Sequence, residues 1–330
     1  MISSVRKKAK HLKILVYGAG VLGSYLAHVL IQGRNDVTLL ARGERLQELK
    51  EKGLVICHYA QCKTTVDQVR LVDALMPEDT YDIIFVVMQY THLHAILPAL
   101  VANHSSHIVL VGNNADAQAM KRKIQENSCV KKQVAFGFQS TGGHREAGRV
   151  VCVRFTGHME LGDLNGELSW RELIDRAFAD TKYKLTYFDN MDAWLKSHIA
   201  LIMPLCYLAH ACDGNLHKAF WNRELLNQVI DAIEEGYKVL ETLGYPIVPA
   251  NEATFVRQKR KMFYLMLKVI TATPIGRLAI SDHAMSAVEE MSALNHAFAA
   301  LKKQANISTP SWDALEVYMK KLDSDKLTHN

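Results

Sequence analysis

Residues 13–27, KILVYGAGVLGSYLA, place three glycines directly after a short run of apolar and β-branched side chains. Gly18, Gly20 and Gly23 have the spacing of the G-x-G-x-x-G motif. The first glycine permits a tight turn after a strand, the second lets a pyrophosphate approach the backbone, and the third lets a helix pack close to the sheet. Such a helix directs free N–H groups at the phosphates. The segment predicts a strand–turn–helix unit that binds a dinucleotide through Gly18, Ala19, Gly20, Val21, Leu22 and Gly23.

The residues after the next predicted strand indicate which dinucleotide binds. That strand covers 37–41; Asp36 precedes it, whereas Arg42 and Arg45 follow its end. An acidic residue at the end of this strand accepts hydrogen bonds from the ribose 2′-hydroxyl of NAD, while a guanidinium binds the 2′-phosphate of NADP. We therefore predict NADP(H), with Arg42 as a cofactor-binding residue. The alternative, a solvated Arg42 with Arg45 in the first turn of a helix, stays open at this point.

Composition limits the class of protein. With 330 residues, 49% hydrophobic and 22% charged, the chain is long enough for two soluble globular domains. A net charge of +5 without a basic stripe argues against nucleic-acid binding. The basic segment 5–13 lacks the apolar core of a signal peptide, and the apolar run 199–212 is too short to span a membrane. The six cysteines form no CxxC pair, so we expect free thiols, no metal site and a cytoplasmic protein.

Strand and helix patterns alternate through the first half of the chain. We predict further strands at 82–88, 107–114, 133–138 and 185–188, and helices at 92–103, 117–126 and 167–183. The segments 148–155 and 158–166 resemble a β-hairpin attached to the sheet. This alternation predicts a Rossmann-type, doubly wound parallel sheet over residues 1–189.

From residue 191 onward the strand patterns stop. Amphipathic stretches predict helices at 191–212, 217–243, 252–271, 281–305 and 311–321. The predicted fold class is therefore α/β plus all-α, with a dinucleotide-binding domain over 1–189 and an all-helical substrate and catalytic domain over 190–330. A cleft between two such domains is a common position for a small-molecule site.

Several separate segments resemble one family, the ketopantoate reductases (2-dehydropantoate 2-reductases). These segments, in chain order, are GAGVLGSYLA, VTLLARGERLQELKEKGL, HIVLVGNNADAQ, MDAWLKSHIALIMPL and SAVEEMSALNHAFAALKKQANISTP. The resemblance implies an NADPH-dependent enzyme of pantothenate and coenzyme A biosynthesis that reduces a 2-oxo acid. It puts Lys196 on the catalytic lysine, Glu290 on the functional glutamate, Asn113 on the asparagine of an Asn-Gly loop and Asp282 on an acidic position. A homodimer is a further expectation from the family.

The chain departs from the family pattern at four places. Gln89 stands where the family has a lysine, and the Asn-Gly loop has become Asn113-Asn114-Ala115. Ala200 and Pro204 replace two asparagines that lie four and eight residues after the lysine, on its helix face. We therefore expect a less polar wall beside Lys196, and the identity of the 2-oxo acid stays open.

The candidate residues have defined chemical roles in this interpretation. Lys196 polarises the substrate carbonyl and donates the proton, and burial would bring its pKa closer to the working pH. Glu290 orients Lys196 or holds a substrate hydroxyl, and the spacing of Asp282, Ser286 and Glu290 predicts one polar helix stripe for the substrate. Asn113, at the end of a parallel strand, reaches the nicotinamide ribose or the substrate. Gln89 is a further cofactor-binding candidate.

Other interpretations remain beside this one. Lysines and glutamates are mostly solvated surface residues, and asparagines often serve turns. Arg277 is a further candidate for the substrate carboxylate. The leading function is an NADPH-dependent 2-dehydropantoate 2-reductase-like enzyme; the alternatives are a family member that reduces a different 2-oxo acid and a non-catalytic NADP(H)-binding protein.

Overall fold

A computed structural model describes residues 11–153 and 157–328 of the chain. In these ranges the strands are β1 Lys13–Tyr17, β2 Asp36–Leu40, β3 Leu54–His58, β4 Lys63–Asp67, β5 Arg70–Val72, β6 Ile83–Val87, β7 His107–Val111, β8 Gln133–Gln139, β9 Gly142–Glu146, β10 Arg149–Val153, β11 His158–Gly162 and β12 Lys184–Tyr187.

The helices of the described ranges divide into two groups. Those interleaved with the strands are α1 Val21–Gln32, α2 Gly43–Lys52, α3 Tyr90–Ala102, α4 Ala117–Asn127 and α5 Arg171–Phe178. Those that follow β12 are α6 Met191–Ala211, α7 His217–Phe220, α8 Arg223–Thr242, α9 Ala250–Gln258, α10 Arg260–Ala272, α11 Pro274–Gly276, α12 Asp282–Ser286, α13 Val288–Ala305 and α14 Pro310–Thr328. Between these elements, a 3₁₀ turn covers Tyr59–Gln61 and a π-helical turn covers Arg277–Ser281.

The main sheet has eight strands in the order β12-β11-β8-β7-β6-β1-β2-β5. The six strands from β8 to β5 run parallel, whereas β11 is antiparallel to β8 and parallel to β12. Apolar clusters cover both faces: Val16, Phe85 and Leu26 belong to one, Leu15 and Leu97 to the other. This is the doubly wound, parallel-dominated sheet predicted from the continuous apolar runs.

A second sheet, of order β4-β3-β10-β9, lies against α1. Its strand β10 pairs with β9 and, in parallel, with β3, whereas β11 joins the main sheet beside β8. The predicted hairpin of 148–155 and 158–166 is therefore wrong, because its two halves belong to different sheets. Residues 154–156 of that prediction lie outside the described ranges. The pairing of β10 with β3 joins residues almost a hundred positions apart, so no local turn sequence predicts it.

The helices after β12 enclose a separate apolar core. Tyr207, Tyr237, Phe298 and Trp312 are almost completely buried in it, and the indole of Trp312 stacks on Phe298 with ring centroids 4.4 Å apart. This helical region confirms the predicted fold class. The predicted helix 281–305 is interrupted at Ala287, where the backbone leaves the helical conformation (φ −111°, ψ 39°). Within the described residues, no helix is both long and apolar enough to cross a bilayer.

Candidate active site

The glycine loop connects β1 to α1 at the carboxyl edge of the main sheet. A Cβ atom at Gly18 would lie 2.3 Å from the carbonyl oxygen of Val87, and one at Gly23 would lie 1.9 Å from the carbonyl oxygen of Gly18. A Cβ at Gly20 would meet nothing within 4 Å. Gly18 and Gly23 are therefore required by packing, whereas Gly20 keeps open the space in front of the first turn of α1, whose N–H groups lack intrahelical acceptors.

A cleft of about 380 Å³ opens beside this loop. Three arginines line it, namely Arg42, Arg45 and Arg145, together with His92 and the glycine loop. The exposed Arg42 donates from Nη2 to the Tyr17 hydroxyl (2.8 Å) and from Nε to the carbonyl oxygen of Asp73 (3.0 Å). These bonds hold its guanidinium at the end of β2, as the sequence predicts. A larger concavity of about 600 Å³, on the outer surface of α8 near Arg223 and Ser311, lies away from the glycine loop.

Arg45 has a structural role in the loop. It is buried and donates to the carbonyl oxygens of Ala19 (3.1 Å) and Gly148 (3.1 Å) and to the Ser24 hydroxyl (3.2 Å). Burial lowers the pKa of its guanidinium, the hydrogen bond that Arg45 donates to Glu48 opposes that shift, and the like charge of Arg145 adds to it. Arg42, Arg45 and Arg145 together supply three guanidinium groups to the cleft.

Lys196 lies on the second turn of α6 and is buried. Its ammonium group forms an ion pair with the carboxylate of Asp192, one helical turn earlier, and lies 4.6 Å from the ring centroid of Tyr245. The other oxygen of Asp192 accepts a hydrogen bond from Gln118 Nε2 on α4 (2.8 Å). The buried lysine is therefore linked through Asp192 to the first turn of α4, directly after the loop that carries Asn113.

Glu290 reaches the same loop from the helical domain. Its carboxylate is buried and accepts from the backbone N–H of Tyr90 (3.0 Å), at the start of α3, and from Asn113 Nδ2 (3.5 Å). His283 Nε2 lies 3.8 Å from its other oxygen. Asn113 follows β7 at the carboxyl edge of the sheet. The structure therefore places Glu290 against Asn113 in the loop after β7 and connects Lys196, through Asp192, to Gln118 at the start of α4.

Other predicted site residues lie outside this group. Asp282 and Ser286 are exposed, and Ser286 donates to the backbone oxygen of Asp282 (2.6 Å). The predicted stripe with Glu290 is wrong, because the helix breaks at Ala287 between α12 and α13. Arg277 is largely exposed and lies 3.8 Å from Asp282.

Three departures from the family pattern have different surroundings. Gln89 is exposed at the start of α3 and does not line the cleft beside the glycine loop. Ala200 is fully buried in the helical core, where a Cβ on Gly236 of α8 would lie 3.2 Å from its own. Pro204 is buried inside α6. The expectation that Ala200 forms a wall of the site is wrong, since it packs against α8.

The sequence-based reasoning missed three polar residues of this region. Asp192 precedes Lys196 by four residues, so the ion-pair spacing was present as a signal. Arg145 comes to the cleft through the second sheet, and Gln139 ends β8. Neither carries a local signal, because long-range strand pairing places both.

Buried polar atoms without a partner mark the carboxyl edge of the sheet. Among the described residues, Asn113 Oδ1, Thr91 Oγ1, Thr141 Oγ1 and both side-chain amide atoms of Gln139 form no hydrogen bond. Such atoms are rare in native proteins because leaving them unpaired is costly. Together with the open space at Gly20, they fit an elongated polar ligand along this edge, as a dinucleotide is.

Comparison with known proteins identifies related sequences and structures. The model described as Ketopantoate reductase PanE/ApbA matches residues 14–166. A 2-dehydropantoate 2-reductase of Archaeoglobus fulgidus is 22% identical over 251 residues, covering 74% of this chain and 80% of that protein. The structure of D-mandelate dehydrogenase with NADH and anilino(oxo)acetate has a TM-score of 0.76 at 18% identity, covering 95% of this chain and 99% of that one. A PanE/ApbA family ketopantoate reductase from Ralstonia eutropha JMP134 has a TM-score of 0.75 at 16% identity, covering 96% and 100%.

The matched family model and the shared fold define the class of protein: an oxidoreductase with an N-terminal parallel-dominated α/β domain and a helical C-terminal region. Within this class, residues 14–166 match the ketopantoate reductase family model, and two curated 2-dehydropantoate 2-reductases align with most of the chain at 22% identity. The resemblance drawn from the sequence is confirmed. The domain boundary at 189–190 and the roles of the individual site residues stay predictions.

Proposed function

We propose that this protein is an NADPH-dependent reductase of a 2-oxo acid, with the site at the junction of its two domains. One observation carries the proposal. A buried carboxylate, Glu290, binds Asn113 in the loop after β7, and a buried ammonium group, Lys196, is connected through Asp192 to Gln118 in the first turn of the helix that follows this loop. Ligands of open α/β sheets bind at such carboxyl-end loops, and buried ionisable pairs in clefts are typical of catalytic sites.

The glycine loop and the arginine-lined cleft support NADP(H) as the coenzyme. The free first turn of α1 and the open space at Gly20 suit a pyrophosphate. Arg42 at the end of β2 and Arg145 of β9 both present guanidinium groups to this cleft, on the side of the sheet that takes the adenosine half of a dinucleotide. Guanidinium groups bind phosphate in a charge-assisted fork, so the cleft favours a 2′-phosphate over a free 2′-hydroxyl.

The residues at the domain junction would perform the proton chemistry of the reduction. When bound, the reduced nicotinamide supplies the hydride. Lys196 Nζ stabilises the negative charge that develops on the carbonyl oxygen and donates the proton to it. Asp192 holds the ammonium group in place through their ion pair. Glu290, fixed by Tyr90 and Asn113, accepts hydrogen bonds from a hydroxyl or orients the amine.

Two arguments support a 2-oxo acid as the substrate: the ammonium group of Lys196 suits a carbonyl oxygen, and the relatives are named for such acids. The matched curated proteins are 2-dehydropantoate 2-reductases, and one structural neighbour is a D-mandelate dehydrogenase with NADH and anilino(oxo)acetate. Both names point to interconversion of 2-oxo and 2-hydroxy acids. Gln89 stands where the family has a lysine, which supports a 2-oxo acid other than ketopantoate as the second candidate.

The deciding experiment is a screen of 2-oxo acids with purified protein. NADPH absorbance is followed with ketopantoate, with linear and branched aliphatic 2-oxo acids and with an aromatic one, and NADPH binding is measured separately by titration calorimetry. Turnover of ketopantoate supports the first candidate, and turnover of other 2-oxo acids alone supports the second. Binding of NADPH without reduction of any member of the panel would identify a non-catalytic NADP(H)-binding protein and refute the proposal.

A further inference from the structure

We propose that Gln139 binds the carboxamide group of the nicotinamide ring and thereby fixes the orientation of the ring. This inference rests on the proposed function, since it requires a nicotinamide coenzyme. Gln139 is the last residue of β8, and the residue is 2% exposed. Neither its Nε2 nor its Oε1 has a hydrogen-bond partner among the described residues.

The position of Gln139 in the sheet matches the nicotinamide half of a dinucleotide. In a doubly wound sheet, the dinucleotide crosses the carboxyl edge, and its second nucleotide lies over the strands on the far side of β1 from β2, here β6, β7 and β8. The last paired residues of β7 and β8 are Val111 and Gly137. Asn113 and Gln139 each follow by two residues, so they stand at the same level beyond this edge.

The direction of the side chain follows from its neighbours. The ring of Phe138 faces α6, where its centroid lies 5.3 Å from that of Trp194 and 4.2 Å from that of His198. Side chains alternate along a strand, so Gln139 points to the opposite face, the one that α1 and the glycine loop cover. Ala135, on that same face of β8, packs in the cluster of Leu26 on α1.

The backbone holds Gln139 in place without using its amide. The residue pairs with Met159 of β11, and the next N–H, of Ser140, donates to the carbonyl oxygen of His158 (3.1 Å). The carbonyl oxygen of Gln139 itself accepts from Thr141 N–H (2.9 Å). The side chain is thus presented from a fixed strand end, which is the arrangement expected of a binding group.

The chemistry of the two orphaned groups selects the ligand. A primary amide offers an N–H donor and a carbonyl acceptor side by side, and a second primary amide satisfies both at once. A substrate carboxylate only accepts hydrogen bonds, so it would leave Gln139 Oε1 unpaired. The nicotinamide carboxamide is the group of the proposed coenzyme that matches both.

The test compares two coenzymes that differ at this group. Binding of NADPH and of its reduced 3-acetylpyridine analogue, in which a methyl ketone replaces the carboxamide and removes the donor, is measured by titration calorimetry. The wild type should bind NADPH about tenfold more tightly than the analogue, because only NADPH can form both hydrogen bonds with Gln139. Gln139→Met, which keeps the volume and removes both polar groups, should weaken NADPH binding about tenfold and abolish the preference.

The control is Gln133→Met at the amino end of the same strand, where the side chain is partly exposed and accepts from Ser169 Oγ (3.3 Å). This variant should leave both dissociation constants unchanged. The melting temperature of coenzyme-free Gln139→Met should equal or exceed that of the wild type, because two buried unpaired groups are removed; a purely structural glutamine would give a lower value.

The outcomes separate the inference from the proposed function. A wild type that binds neither coenzyme refutes the proposed function. A wild type that binds NADPH and the analogue equally refutes the role of Gln139, and this comparison holds even if the variant fails to fold. If Gln139→Met weakens the binding of both coenzymes equally, the role of Gln139 is also refuted. A contact with the ribose, which both coenzymes carry, would give that result.

Discussion

At the scale of single residues, the candidate site contains a buried lysine, Lys196, that forms an ion pair with the carboxylate of Asp192. Lys196 is paired with Asp192 and covered by Tyr245, so its ammonium is held in place before any substrate arrives. A cation fixed in a water-poor site stabilises developing negative charge more strongly than one in solvent. This placement is what distinguishes Lys196 from the exposed lysines of the same domain.

Replacement of Lys196 by methionine should lower kcat by about a hundredfold to ten-thousandfold, the usual loss for a missing general acid. The dissociation constant for NADPH, measured by titration calorimetry, should stay within about twofold, because the proposed mechanism has Lys196 contact the substrate carbonyl and not the coenzyme. The matched control is Lys238→Met on α8, where the lysine is exposed and pairs with Glu234. A Lys196→Met enzyme with unchanged kcat would remove the lysine from the mechanism.

Arg42 should determine the preference for NADPH over NADH. Arg42→Ala should weaken NADPH binding about tenfold to a hundredfold and leave NADH binding nearly unchanged, because only the 2′-phosphate loses a charge-assisted hydrogen bond. Both dissociation constants are measured by fluorescence titration. Arg122→Ala on the exposed surface of α4 serves as the control. If wild type and variant bind NADPH and NADH with the same ratio, the 2′-phosphate contact lies elsewhere.

Gly20 and Gly23 should respond differently to replacement by alanine. Gly23→Ala places a Cβ 1.9 Å from the carbonyl oxygen of Gly18 and should lower the free energy of unfolding by about 1–3 kcal/mol or more. Gly20→Ala meets nothing within 4 Å and should keep the stability while weakening coenzyme binding. Urea denaturation and coenzyme titration of both variants check this pair. Equal stability of the two variants would contradict the packing role of Gly23.

At the scale of elements, α9 of the helical domain carries a perturbed carboxyl group. Burial raises the pKa of Glu252 to about 7, and the nearby carboxylate of Glu160 on β11 adds to the shift. In the same area Glu160 accepts from Ser140 Oγ (3.1 Å) and lies 3.3 Å from His158 Nδ1. Glu252 therefore favours its protonated form in the folded protein.

The pH dependence of stability follows from this raised pKa. The unfolded chain releases the proton near the ordinary pKa of 4.5, whereas the folded chain keeps it to about 7. The contribution of Glu252 to stability is complete below pH 4.5 and is lost as the pH rises through that window to 7. Glu252→Gln should flatten the fall of the melting temperature across this range, and the exposed Glu78→Gln should leave it unchanged. An equally steep fall in Glu252→Gln would show that other groups cause it.

Sequence reasoning succeeded where a local pattern carries the feature. The loop Gly18–Gly23, the end of β2 at Arg42 and the apolar strands β6 and β7 each depend on a few consecutive residues. The second sheet, the separation of β10 from β11 and the positions of Arg145 and Gln139 depend on pairing between distant segments, which leaves no periodic signal. The break at Ala287 has no proline or glycine to announce it, so one helix was predicted across it.

At the scale of the whole molecule, the two domains meet through polar contacts at the loop after β7. Glu290 of α13 binds Tyr90 and Asn113 of the α/β domain, and Asp192 of α6 binds Gln118. The ring of Phe138 in β8 also contacts Trp194 and His198 of α6. Burial lowers the pKa of His198 to about 3, so its imidazole stays neutral. The groups proposed for binding and proton transfer are thus held by contacts between the domains.

The transfer of the hydride itself can be measured with labelled coenzyme. Purified protein is incubated with NADPH carrying deuterium at both C4 positions and with each active 2-oxo acid, and the product is analysed by mass spectrometry. A 2-hydroxy acid with one deuterium on the former carbonyl carbon is the predicted result. A 2-hydroxy acid without deuterium, or no 2-hydroxy acid from any member of the panel, would contradict direct reduction at this site.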